Sequence, residues 1–99
     1  MIDINNFTTR TAGGTYSIGT TYTVAKDGYI CPRVNFSSAN GYLIIVIANA
    51  DGKEVFAHQL NCGANATYAY DGQYFPVKAG WRFSFSGANI TSIQLRTSY

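Results

Sequence analysis

From residue 21 onward the chain is cut at short intervals by turn signals. These are Asp27-Gly28, the stretch 37–41, Asp51-Gly52, Asp71-Gly72, Ala79-Gly80 and the stretch 87–89. The pieces between them are too short to stand as helices, and they are rich in β-branched and aromatic residues. They therefore read as strands: 21–24, 29–36, 42–48, 54–60, 66–70, 74–78, 81–86 and 90–97. No window keeps a helical period. Several runs alternate cleanly. Trp81, Phe83 and Phe85 share one face, with Arg82, Ser84 and Ser86 on the other. Ile30, Val34 and Phe36 line one face of their run, and Ile93 and Leu95 point inward from the last. Asp51-Gly52 between two such runs is the clearest hairpin signal. Eight strands at this spacing predict an all-β, antiparallel two-sheet sandwich. Pro32 and Pro76 fall inside strand runs, and a proline gives no N–H to a ladder. Those runs are expected at sheet edges or with bulges. Residues 1–20, rich in Thr, Gly and Asn, read as an arm or first edge strand, leaving 21–99 as the sandwich domain.

The run Tyr42–Ala48 departs from the one-sided pattern. Leu43, Ile45 and Ile47 make one apolar face, and Tyr42, Ile44, Val46 and Ala48 make the other. A sandwich strand normally has one dry face and one wet face. One set fills the core and the other needs a second cover, either the N-terminal arm, a loop or another subunit. With 99 residues there is little chain to spare for a lid, which favours a subunit. The candidate interface is Tyr42, Ile44, Val46, Phe56 and His58. Composition agrees: charged residues are 12% against about 25% in typical soluble domains, while Tyr, Phe and Trp are abundant. Such surface tends to be covered by a partner or by copies of itself. Tyr68, Tyr70 and Tyr74, around the Asp71-Gly72 turn, are a candidate ligand or receptor surface, because Tyr rings bind sugars and proteins at small entropy cost. A carbohydrate-binding module is the alternative reading of the chain.

Residues able to do chemistry are scarce. Of five carboxylates, Asp27, Asp51 and Asp71 precede glycine, where an Asp side chain caps its own turn. That leaves Asp3 and Glu54, which gives no natural acid–base pair facing one cleft. The same three Asp residues lie in separate turns, so no calcium site converges on them. His58, the lone histidine, shares an apolar face with Phe56 and Leu60 and reads as a packed residue. The expectation is a protein without catalytic residues, metal or cofactor. Cys31 and Cys62 are read as two unrelated thiols, although a bridge between them would contribute about 3–4 kcal/mol. Seven scattered Lys and Arg make no basic run, so nucleic acid is not an expected partner. Residues 1–10 lack the pattern of a signal peptide, and the longest apolar run is too short for a membrane helix.

Two segments resemble a known family. Thr21-Tyr22-Thr23-Val24-Ala25-Lys26-Asp27-Gly28-Tyr29-Ile30 is similar to the opening of small jelly-roll domains in bacteriophage structural proteins. Phe75-Pro76-Val77-Lys78-Ala79-Gly80-Trp81-Arg82-Phe83-Ser84 resembles the matching later segment, with Trp81 where that family has Asp. The likeness spans about residues 21–97 and points to the trimeric, tumour-necrosis-factor-like jelly roll of head fibres, tail-fibre tips and related knobs. It implies a homotrimer in the virion, made in the bacterial cytoplasm and serving attachment or capsid decoration. Residues 1–20 would then join it to a capsid or fibre-shaft protein, and a host-surface glycan is an implied ligand.

Overall fold

Asn49 starts the best-formed hairpin. Its Oδ1 accepts the N–H groups of Asp51 and Lys53, each at 3.0 Å, and Gly52 takes a φ of 83°, which a side chain resists. This turn joins β4 (Tyr42–Ala48) to β5 (Glu54–Asn61). The computed structural model describes residues 8–10, 16–64, 69–71 and 74–97, with the backbone alone at 8–10, 69–71 and 96. Within it the remaining strands nest around the hairpin. β3 (Gly28–Phe36) pairs with β6 (Ala69–Asp71) and β7 (Phe75–Val77). β2 (Thr21–Thr23) pairs with β8 (Arg82–Ala88), and β1 (Thr8–Arg10) with β9 (Ile90–Thr97). All the pairs are antiparallel.

These nine described strands form two sheets. One is ordered β1-β9-β3, with β6 and β7 in line along the far side of β3. The other is ordered β2-β8-β4-β5. A long hairpin rolled so that successive strand pairs fall in alternate sheets is a jelly roll. The all-β, two-sheet sandwich read from the sequence is the observed architecture.

The core lies where the alternation placed it. Ile30, Val34 and Phe36 of β3 and Ile93 and Leu95 of β9 face Phe83 and Phe85 of β8, and all are buried. Each such side chain contributes about 1.5–3 kcal/mol by leaving water. The ambiguous β4 resolves through its neighbour. Ile45 lies opposite Phe85 and Ile47 opposite Phe83, so Leu43, Ile45 and Ile47 point into the core, where each is 1% exposed or less. Tyr16 and Tyr22 extend this aromatic layer. Their rings are 4.8 Å apart, and Tyr22 stacks on Phe83 at 5.4 Å. The described part of 1–20, β1 and residues 16–20, packs on the sandwich, with β1 as an edge strand of its sheet.

The two prolines are accommodated differently. Pro76 sits in β7, a short edge strand, as expected. Pro32 does not sit at an edge, because β3 is flanked on both sides. The β7 ladder ends at Ile30 and the β6 ladder begins at Arg33, so the second ladder breaks at Cys31 and Pro32. That break removes the need for a proline N–H there.

The segments that carry the family resemblance lie side by side. The Val24 N–H donates to the Trp81 carbonyl at 2.7 Å, and the Gly80 N–H to the Val24 carbonyl at 2.9 Å. The Ala79 N–H donates to Asp27 Oδ1 at 2.9 Å. Asp27 therefore caps a turn 52 residues away and not its own. Asp51 is likewise not the cap of its turn, a role taken by Asn49. Asp71 ends β6, and its side chain lies outside the described residues. Asp27→Ala is expected to lower the unfolding free energy by about 1 kcal/mol in urea denaturation, with Asp27→Asn keeping most of it through its own Oδ1. Equal losses from both would show that this hydrogen bond does not hold the turns.

Candidate functional site

The outer face of the four-stranded sheet is built by the even-numbered residues of β4. Reading across the sheet, Ala48 lies between Arg82 and Glu54, and Val46 between Ser84 and Ala57. Ile44 lies between Ser86 and Gln59, and Tyr42 between Ala88 and Asn61. β2 adds Thr21 beside Ser84 and Thr23 beside Arg82. Four of these flanking side chains, Ala57, Ser84, Ser86 and Ala88, are small, and between the strands Ile44, Val46 and Ala48 stand half-buried while Tyr42 is 36% exposed. At the hairpin end the face sinks into an open concavity of about 200 Å³, lined by Thr21, Val46, Ala48, Gly52, Arg82 and Ser84.

β5 is the edge of this sheet, and among the described strands it pairs with β4 alone. Its register shifts against β4 between Ile47 and Ala48, which leaves Val55 as the extra residue of a bulge. Past the bulge, Phe56 lies opposite Ile47, His58 opposite Ile45 and Leu60 opposite Leu43. Directly opposed residues share a face, so these three lean toward the core side at the open edge of the sandwich. The rings of Phe56 and His58 lie 6.3 and 5.6 Å from that of Phe75. Even so, Phe56 remains 36% exposed and Val55 40%.

The five side chains read from the sequence as one interface therefore form two patches. Tyr42, Ile44 and Val46 lie on the outer face. Phe56 and His58 lie on the opposite face, at the edge. The patches meet along β5. Sequence reading missed Arg82 and Glu54, which bracket Ala48 on the outer face. Their signal was present, since they are the only formally charged residues in β2, β4, β5 and β8.

The tyrosine surface is not assembled among the described residues. Tyr68 lies outside them, and Tyr70 is placed by its backbone alone, opposite Val34. Tyr74 is half-buried just before β7. The cysteines stay apart. Cys31 is buried on the outer side of β3, in the gap between the β6 and β7 ladders. Cys62 is buried at the corner after β5, where its Sγ accepts the Gly41 N–H at 3.1 Å. Asn40 and Asn89, with φ of 61° and 57°, turn the chain at this same corner. Among the described residues no three of His, Cys, Asp and Glu gather into a metal-holding group. No protein-family model, curated protein or solved structure matches this chain.

Proposed function

We propose that this chain is a non-enzymatic structural protein that acts as a homotrimer, a jelly-roll knob of a bacteriophage virion serving assembly or host attachment. The observation that carries the reading is the apolar row Tyr42, Ile44, Val46 and Ala48 on an outer sheet face, bordered by an edge strand that presents Val55 and Phe56. Water-facing sheet surfaces normally carry polar side chains, and an apolar row of this length favours a protein partner.

Patch geometry favours a ring. The outer face spans four strands about 4.8 Å apart, with residues on one face about 6.8 Å apart, a footprint on the order of 450 Å². A two-fold contact of face on face would use that footprint alone and leave the edge bare. A cyclic ring uses two unlike patches of every copy, so each buries both face and edge. The virion location rests on the resemblance of residues 21–30 and 75–84, and the jelly-roll strand order is the architecture that resemblance implies. Of residues 1–20, read from the sequence as an anchor, the segment before β1 is the part left to serve as the attachment to a capsid or fibre shaft.

Light scattering on the purified chain at micromolar concentration tests the reading. The expected mass is three times the chain mass of 10.8 kDa. A monomer at the highest attainable concentration would sink it.

A further inference from the structure

Resting on that reading, we infer that neighbouring copies join edge on face, with Phe56 of one copy seated in the concavity beside Ala48 of the next and Glu54 meeting Arg82. The occupant is thus a second copy of this chain. Three observations lead to it.

The first is charge. Across all four strands of this sheet only Glu54 and Arg82 carry formal charge, one on the edge strand and one on the outer face. Within one copy, β4 separates their backbones by roughly 10 Å. A contact between unlike patches brings one from each copy together, and it needs opposite signs.

The second is level. A ring whose axis runs along the strands joins patches at equal height. Glu54 and Arg82 both lie opposite Ala48, so they share a height. Phe56 lies opposite Ile47, between the levels of Val46 and Ala48, which floor the concavity. A face-on-face two-fold would not seat Phe56 at all.

The third is shape. Phe56 is an aromatic side chain at an edge, beside the Val55 bulge, and although one side of its ring faces Phe75 of its own copy it remains 36% exposed. The concavity offers about 200 Å³, with Val46 and Ala48 at its floor and Thr21, Ser84 and the charged Arg82 around them. Exposed aromatics fitted to a partner's pocket are the anchors that dominate interfaces. Thr21 and Ser84 at the rim leave room for the ring where larger side chains would fill it.

The test is a charge exchange read by solution mass across a dilution series. Glu54→Arg and Arg82→Glu each place like charges in every contact, and each is expected to raise the concentration at which the assembly dissociates at least about tenfold. The double variant Glu54→Arg with Arg82→Glu is expected to return to within about threefold of the parent. Mixing the two single variants should give more assembly than either alone, since each supplies the charge that the other lacks. Phe56→Ala should weaken assembly as the single reversals do. If the parent is oligomeric but the reversals leave its dissociation unchanged, or the double variant does not recover, the edge-on-face contact is overturned while self-association stands. Recovery in the double variant without any gain on mixing would place the pair within one chain and overturn the contact as well. A monomeric parent removes the self-association reading, and this contact with it.

Discussion

Ile45→Ala is expected to lower the unfolding free energy by about 3–4 kcal/mol, while Ile44→Ala, one residue away, lowers it by about 1 kcal/mol or less. The two side chains are chemically identical and neighbours on one strand. They differ in which way they point. Ile45 is 1% exposed and lies opposite Phe85 in the core, while Ile44 lies opposite Ser86 on the outer face. Truncating Ile45 removes apolar contacts and leaves a cavity that rigid strands on both sides cannot close. A domain of this size has a total stability of about 5–15 kcal/mol, so the loss is a large share of it. The melting temperature should fall by roughly 15–25 °C. Ile44→Ala should act instead on the mass in solution. Urea denaturation of dilute protein, below the concentration of assembly, separates the two. A larger cost at Ile44 than at Ile45 would mean that the faces of β4 are reversed.

Gly87→Ala should be the most damaging alanine replacement among the described glycines. Gly87 lies opposite Leu43 in the β4–β8 ladder. A Cβ there would overlap the backbone carbonyl oxygen of Tyr42 and sit 2.7 Å from Ile90 Cδ1. The isoleucine tip can shift, but the carbonyl belongs to a sheet strand and can move only by loosening the ladder. Overpacking of this kind costs about 1–3 kcal/mol, and the backbone clash places it at the upper end. Gly52→Ala is the control. Its Cβ would meet nothing within 4 Å, so only the positive φ is strained, at about 1 kcal/mol. Thermal melts of the two variants rank them. A Gly87→Ala protein that melts with the parent would show that the approach of β8 to β4 is looser than described.

Short-range chemistry makes much of this fold legible in the amino-acid order alone. Glycine turns and period-two alternation locate the strands from residue 21, and they turn Phe83, Phe85, Ile93 and Leu95 inward, where those side chains are found. What stays hidden depends on pairing between distant segments. β4 is apolar on both faces, so its own sequence cannot choose one. The choice is made by β8, whose aromatic face meets the odd-numbered residues of β4. Grouping Phe56 and His58 with Tyr42, Ile44 and Val46 assumes that even positions of both strands share a face. The pairing of Ile47 with Phe56 sets even against odd and splits the group. Asp27 holds a turn far along the chain, a contact that no local rule anticipates. Pro32 shows a third route beside edge and bulge, a partner strand interrupted at the proline. The charged pair is visible as residues, but its meaning depends on the strand order β8-β4-β5, which brackets Ala48 between Arg82 and Glu54.

The nesting of strands around one hairpin also fixes a timetable. β4 and β5 can join as soon as both have been synthesised, but the wider pairs enclose ever longer loops, and the cost of closing a loop rises with its length. β1 must wait for β9, the last of the described strands to be made. A fold dominated by such distant pairings forms in milliseconds to seconds, not microseconds. Until β8 arrives, β4 has a partner on one side only, with both of its apolar faces and a bare edge open to other chains. The strand that carries the proposed assembly surface is therefore also the chief hazard during synthesis.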